Sequence, residues 1–196
     1  MVELELTKIK STNNWREVAN AARTTISMDS GEGEPSSDWK YKMLYAEHSP
    51  IRLLRIKWEW KNLKTWISTH FVRHHVGYTP FVESQRSDKN HNNIYNRDKR
   101  PQGALIKQYN DANAQALINM SAKRLCNQSH SETTQALKIM LKELKDIEPE
   151  LYNACVPQCV RLGFCPEFKS CGYINRAKGK KERKKYIERI KKIRGC

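Results

Sequence analysis

The chain has 196 residues, with 36 Lys and Arg against 21 Asp and Glu and a formal net charge of +15. That length fits one domain with a real core, and the charge predicts acidic partners, nucleotide phosphates or nucleic acid, while saying little about fold. No apolar run of about 18 residues exists to span a membrane. The opening MVELELTKIK lacks the apolar core of a signal peptide, so a cytoplasmic location is expected. The six cysteines should then be reduced, without a disulfide framework.

Residues 2–9 alternate apolar and polar, with Val2, Leu4 and Leu6 on one face, which predicts a half-buried strand. A helix can start at Thr12 to Asn14, and Trp15, Val18, Ala19 and Ala22 mark its apolar face. It runs into Ala21-Ala22-Arg23-Thr24-Thr25. Residues 29–37 are rich in Gly, Ser, Glu and Pro and predict a surface loop. A helix over 39–47 leads to the turn Glu47-His48-Ser49-Pro50-Ile51. Leu54, Ile56, Trp58 and Trp60 then alternate with Arg55, Lys57 and Glu59, a strand pattern. The next segment, 63–75, reads as a helix. Trp66, His70 and Arg73 share a stripe, Ile67, Phe71 and Val72 supply apolar contact, and Gly77 and Pro80 end the pattern.

Residues 89–101 are polar and carry Asn90, Asn92 and Asn93, so they predict a mobile or ligand-ordered loop. Residues 112–124 hold good helix formers, with Ala116, Leu117 and Met120 as the apolar stripe. A second amphipathic helix is expected over 133–145, with Ala136, Ile139, Met140 and Leu144 inward and Pro149 beyond its end. Cys155, Cys159, Cys165 and Cys171 could hold zinc through four thiolates, but lack the tight pairs of zinc ribbons. Small buried apolar cysteines are the alternative, and no metal is assigned. Residues 176–196 carry eleven Lys and Arg against two Glu, with Tyr186, Ile187, Ile190 and Ile193 as a narrow apolar stripe. The expected organisation is one domain over 1–175 and a basic helical tail over 176–196. The tail would dock by its stripe or touch nucleic acid. Cys196 reads as a free terminal thiol.

The window 66–88 concentrates Arg73, His74, His75, Ser84, Gln85 and Arg86. Arginine offers a planar fork of donors with fixed charge and serine adds a hydroxyl, a set that suits an anion. Arg73-His74-His75 followed by Ser84-Gln85-Arg86 resembles the signature of the flavin-dependent thymidylate synthases, in which Arg-His-Arg leads to Ser-x-Arg. Three further pieces fall in the same order. The segment 21–24 is similar to the family's Ala-Ala-Arg-Thr, 48–50 to its His-x-Ser-Pro turn, and Asn113, Gln115, Asn119 and Arg124 to its Asn-x-Arg, Asn and Arg. The end, from Pro157-Gln158-Cys159 to Ser170-Cys171-Gly172, is similar to that of a subgroup. His75, Gln115 and Arg52 stand where the family usually carries Arg, Arg and Glu, and the chain is shortened after Arg86.

The resemblance implies an α+β fold, an antiparallel sheet flanked by helices. It implies conversion of dUMP to dTMP with FAD, NADPH and methylene-tetrahydrofolate, in a homotetramer with shared sites. By position it puts Arg73, His74, His75, Asn113, Asn119, Ser49 and Thr25 at the flavin. Ser84, Gln85, Arg86, Arg97 and His70 fall at dUMP, with Arg100 competing with Arg97. Arg124 falls at the uracil edge as the catalytic group. Two other readings remain open: a related enzyme with a different pyrimidine nucleotide or a hydroxymethylated product, and a basic nucleic-acid-binding protein with a Cys-rich metal module.

Overall fold

The structure is a computed structural model that describes residues 3–86, 88–89 and 96–195. Val2 of the expected first strand, Asn90, Asn92 and Asn93 of the expected loop, and Cys196 lie outside the described residues.

Four antiparallel strands form one sheet in the order β1-β2-β4-β3: β1 Glu5–Ser11, β2 Arg55–Lys64, β3 Tyr78–Val82 and β4 Leu105–Asn113. The helices are α1 Trp15–Thr24, α2 Ser37–Tyr45, α3 Thr65–Val72, α4 Ala114–Arg124, α5 Ser131–Ile147, α6 Pro149–Ala154, α7 Gln158–Leu162 and α8 Ala177–Arg194. The fold is therefore α+β, with the sheet flanked by helices, as expected.

The alternation in β2 gives the sheet its two faces. Ile56, Trp58, Trp60 and Leu63 are fully buried. Trp58 and Trp60 meet edge to face at 5.5 Å, and Trp60 lies 4.7 Å from Phe71 of α3. The opposite face is wet. Arg55 there pairs with Asp111 across β4 at 2.8 Å, and Lys8 with Glu59 at 3.7 Å.

Three expectations change. The first strand is displaced toward Ser11 and carries a bulge between Thr7 and Lys10, where Lys8 takes φ 56°. The segment 112–124 is not one helix. Its first two residues finish β4, and Asn113 is the N-cap of α4, its side chain accepting from the Ala116 N–H at 2.8 Å. The expected breaker Pro80 lies inside β3, an edge strand, where a missing N–H is tolerated.

A smaller cluster of Cys159, Val160, Ile174 and Tyr186, with Tyr45, Ile187 and Ile190 against it, joins α2, α7 and α8. Gly179 of α8 sits so close to the preceding turn that an added Cβ would fall 2.1 Å from the Tyr173 carbonyl oxygen. The basic helix is thus packed by its backbone as well as its stripe. Among the described residues, no helix is long and apolar enough to cross a membrane.

Candidate active site at the ends of helices α3 and α4

Helix α3 is anchored by Ile67 and Phe71 in the core and stops at Val72. Arg73 is its C-cap, and the His74 N–H closes the last turn on the Phe71 carbonyl at 2.9 Å. Gly77 then turns the chain at φ +75°. An added Cβ there would lie 2.5 Å from Asn113 Nδ2, so the turn and the cap of α4 are packed together. Helix α4 is buried over most of its length, from Ala114 to Ala122, which holds Arg124 at its C-terminus rigidly.

Arg124 is the centre of the site. Its Nε–H donates to His74 Nε2 at 2.9 Å and its Nη2–H to the His70 carbonyl at 2.7 Å. Thr134 Oγ1 donates to the Arg124 carbonyl at 2.7 Å, tying in α5. Because His74 Nε2 accepts, the ring is neutral. Burial and then the Arg124 charge pull its pKa down to about 4. Burial, Arg124, Arg73 and His130 also lower His70. The Arg124 guanidinium itself is pushed down by burial and by Arg73. Arg124 and a neutral imidazole therefore meet, with the exposed Arg73 near enough to press on the Arg124 charge. Among the described residues neither Arg73 nor Arg124 has a carboxylate partner. Facing like charges are costly unless an anion joins them.

Sequence reasoning did not single out Thr133 and His130 here. Thr133 is fully buried, and its Oγ1 lies 2.8 Å from His70 Nδ1. His130 meets Trp66 edge-on at 4.5 Å, and Trp66 meets His70 at 5.5 Å. The signal for His130 was its place before a helix-start pattern, Ser131-Glu132-Thr133. It is the N-cap of α5, with its side chain accepting from the Glu132 N–H at 3.3 Å.

The other expected residues form separate groups. Gln85 Nε2–H donates to Thr65 Oγ1 at 3.2 Å, at the N-terminal end of α3. Ser84 Oγ accepts from the Arg86 N–H at 3.2 Å, and Arg86 forks onto Asp88 at 2.9 and 2.6 Å. Eight residues of helix rise, about 12 Å, separate this group from Arg73. Arg97 is exposed in a 3-10 turn, Arg97–Lys99. The competing Arg100 is committed instead, donating to the Leu105 carbonyl at 3.0 Å.

His75 is exposed, its Nδ1 within 3.2 Å of the Arg73 carbonyl. Thr25 is exposed just past α1, donating to the Ala22 carbonyl at 2.7 Å, and Ser49 is exposed at the start of a 3-10 turn. Gln115 donates to Glu47 at 2.5 Å and to Asn119 at 3.3 Å, and Glu47 also pairs with Arg161. Gln115 and Asn119 are therefore on the α4 face toward this turn, while Arg124, five residues beyond Asn119, is turned well away around the helix. One chain thus brings together His70, Arg73, His74 and Arg124, and leaves Asn119 and the Ser84 group outside that cluster.

Cys155 is buried apart from the other cysteines, its thiol pushed up to about 12 by burial. Cys126, Cys159, Cys165 and Cys171 line a common cavity. Among the described residues, no group of three or more His, Cys, Asp or Glu could hold a metal ion.

The fold is similar to that of the flavin-dependent thymidylate synthases. The flavin-dependent thymidylate synthase ThyX of Helicobacter pylori, crystallised with FAD and dUMP, aligns at a TM-score of 0.61 with 14% identity, over 79% of this chain and 100% of that one. The UMP/dUMP methylase PolB of Streptomyces cacaoi, bound with 5-Br dUMP, aligns at 0.59 with 13% identity, over 78% and 93%. In sequence, the flavin-dependent thymidylate synthase of Nitratidesulfovibrio vulgaris is 33% identical over 67 residues, 34% of this chain and 27% of that relative. The chain thus matches about a quarter of the length of that curated relative. No family model matches.

Proposed function

We propose that this protein is a flavin-dependent enzyme that modifies dUMP, and specifically a thymidylate synthase forming dTMP with methylene-tetrahydrofolate and NADPH. The observation that carries the reading is Arg124, a guanidinium held on neutral His74 with exposed Arg73 near enough to press on its charge, and with no carboxylate partner for either among the described residues. Such a pair fits the phosphates of a dinucleotide or the electron-rich edge of a pyrimidine. The residues present fit FAD in this respect. Arg73, His74 and His75 would hold it, with Asn119, Ser49 and Thr25 exposed to reach it. The Asn113 side-chain oxygen is engaged in capping α4, which leaves its amide as the available donor. FAD, when bound, supplies the redox chemistry, with reducing equivalents from NADPH.

The protein's part is positioning and polarisation. Arg124 presents pre-aimed donors, fixed by His74 and the His70 carbonyl, to charge developing on the uracil ring. Arg86, Ser84, Gln85 and Arg97 would take the dUMP phosphate and sugar, with His70 beside the base. Arg86 exchanges its exposed fork onto Asp88 for the phosphate, a modest cost because an exposed pair is weak. This group and Arg73 occupy opposite ends of α3, so a complete site would draw on more than one copy, as in a homotetramer.

A second reading has support of its own. Gln115 replaces an expected arginine and is committed to Glu47, and Arg52 stands exposed where a glutamate is expected. These changes alter the flavin side and suit a related enzyme with another pyrimidine nucleotide or a hydroxymethylated product.

The purified protein should be yellow, its flavin absorbance changing on addition of dUMP. Product mass after incubation with dUMP, methylene-tetrahydrofolate and NADPH separates the two readings, since a hydroxymethyl group is one oxygen heavier than methyl. A colourless protein that takes up no added FAD would end both.

A further inference from the structure

On the side of the molecule formed by α5, α6 and α8 lies a groove of about 550 Å³. Two rows of cations border it. Lys138, Lys142 and Lys145 come from α5, and Lys178, Lys185 and Arg189 from α8. The spacings, i, i+4, i+7 on α5 and i, i+7, i+11 on α8, each place a row on one helix face. Among the described residues Glu182 is the one acidic residue lining the groove, and burial, together with the Glu182 carboxylate, raises the pKa of the neighbouring Tyr173 hydroxyl. Among the described residues none of the five lysines has an ion-pair partner.

A solvated basic surface would spread its charges outward and intersperse acids. Here the acids of α5, exposed Glu143 and Asp146 and Glu132 paired with Lys64, do not line the groove, and the lysines face a second cationic row. The α8 wall is not free to swing away. Gly179 is pressed against the Tyr173 carbonyl, and Tyr186 is buried edge-on against Tyr45 at 5.0 Å. A rigid concave site with uncompensated charge on both walls is complementary to a linear polyanion. The α8 row extends about 16 Å by helix rise, long enough to follow successive phosphates. Partly exposed Tyr152 and Tyr173 line the same groove and offer rings for bases to stack on.

We propose that this groove binds single-stranded nucleic acid along its phosphodiester backbone. The site is independent of the anion site at α3 and α4, and lies on other helices. A groove walled on both sides admits a flexible strand and hinders a rigid duplex.

The test is fluorescence anisotropy with the full chain and a fluorescein-labelled 15-nucleotide oligo(dT). Expected are saturable binding and a slope of log affinity on log salt near about −4, from six phosphate contacts on a single strand. Lys142→Glu/Lys145→Glu should weaken binding about tenfold or more and flatten the slope by about one. Lys10→Glu/Lys107→Glu changes net charge equally on exposed strand positions and should leave affinity within about twofold. Circular dichroism melts verify that both variants fold. Absence of binding, or equal loss in both variants, overturns the proposal. So does displacement of the strand by a 15-base-pair duplex or by inorganic tripolyphosphate as readily as by unlabelled strand. FAD and dUMP binding by the same variants should be unchanged, so failure here is distinguishable from failure of the enzymatic reading.

Discussion

His74 accepts a hydrogen bond from a guanidinium, so protonating it would set two cations against each other. Its folded pKa is about 4, below the ordinary 6.5. The unfolded chain therefore binds the proton first as pH falls. The stability tied to neutral His74 is intact above about 6.5 and is lost progressively down to about 4, by at most about 1.4 kcal/mol per pH unit. His74→Gln keeps an acceptor for Arg124 and removes the titration. Its melting temperature should match the parent at pH 7.5 and fall less steeply between pH 6.5 and 4.5, and an unchanged slope would refute this origin. Gly77 is under a different constraint. Gly77→Ala meets both a left-handed φ and the Asn113 amide, and should cost about 1–3 kcal/mol in denaturant melts. The sequence marked Gly77 only as a breaker, because the residue it touches is 36 positions away.

At the scale of elements, β4 shows what a pattern search misses. Its inward positions are Ile106, Gln108, Asn110 and Ala112, all buried. Two of the four are amides, so hydrophobic alternation is broken although the strand is regular. The amides are engaged inside the sheet. Tyr78 Oη donates to Asn110 Oδ1 at 2.6 Å, Gln108 Nε2 donates to the same oxygen at 2.7 Å, and Asn110 Nδ2 reaches the Gln108 carbonyl at 2.9 Å. Asn110→Leu would strip the Tyr78 hydroxyl of its acceptor and should destabilise by about 1–3 kcal/mol. Tyr78→Phe added to it should recover part of the loss, and simple additivity would show that the network does not exist. By contrast β2, α1 and α5 were legible, since Trp58, Trp60, Val18, Ala136 and Leu144 carry their periodicity in apolar side chains. In α8, Gly179→Ala should loosen the helix from its turn, seen as faster amide exchange in 177–194 with less effect on the sheet.

At the scale of the molecule, α3 sets the problem. Its C-terminal end carries Arg73 and, through Arg124, the proposed anion site, while Gln85, next to Arg86, bonds to Thr65 at its N-terminal end. A site needing both ends would be completed by a second copy. Arg86→Ala should weaken dUMP binding and spare flavin retention, while Arg124→Ala should lower turnover. Mixed and reassembled, the two inactive variants should recover measurable activity if sites are shared between chains. No recovery in verified mixed oligomers would place each site within one chain. Light scattering on the parent protein should report a mass above the 23.0 kDa of one chain.

The charge, the amphipathic helices, the tryptophan strand and the order of the basic and amide motifs were all determined by the sequence, because each is written in neighbouring residues at a regular period. Only the tertiary structure decided that Arg124 docks on His74, that amides fill the inward side of β4, and that two lysine rows confront each other. Those facts depend on which segments, 30 or more residues apart in the chain, the packed sheet and helices bring within a few ångströms, and local spacing carries no record of that.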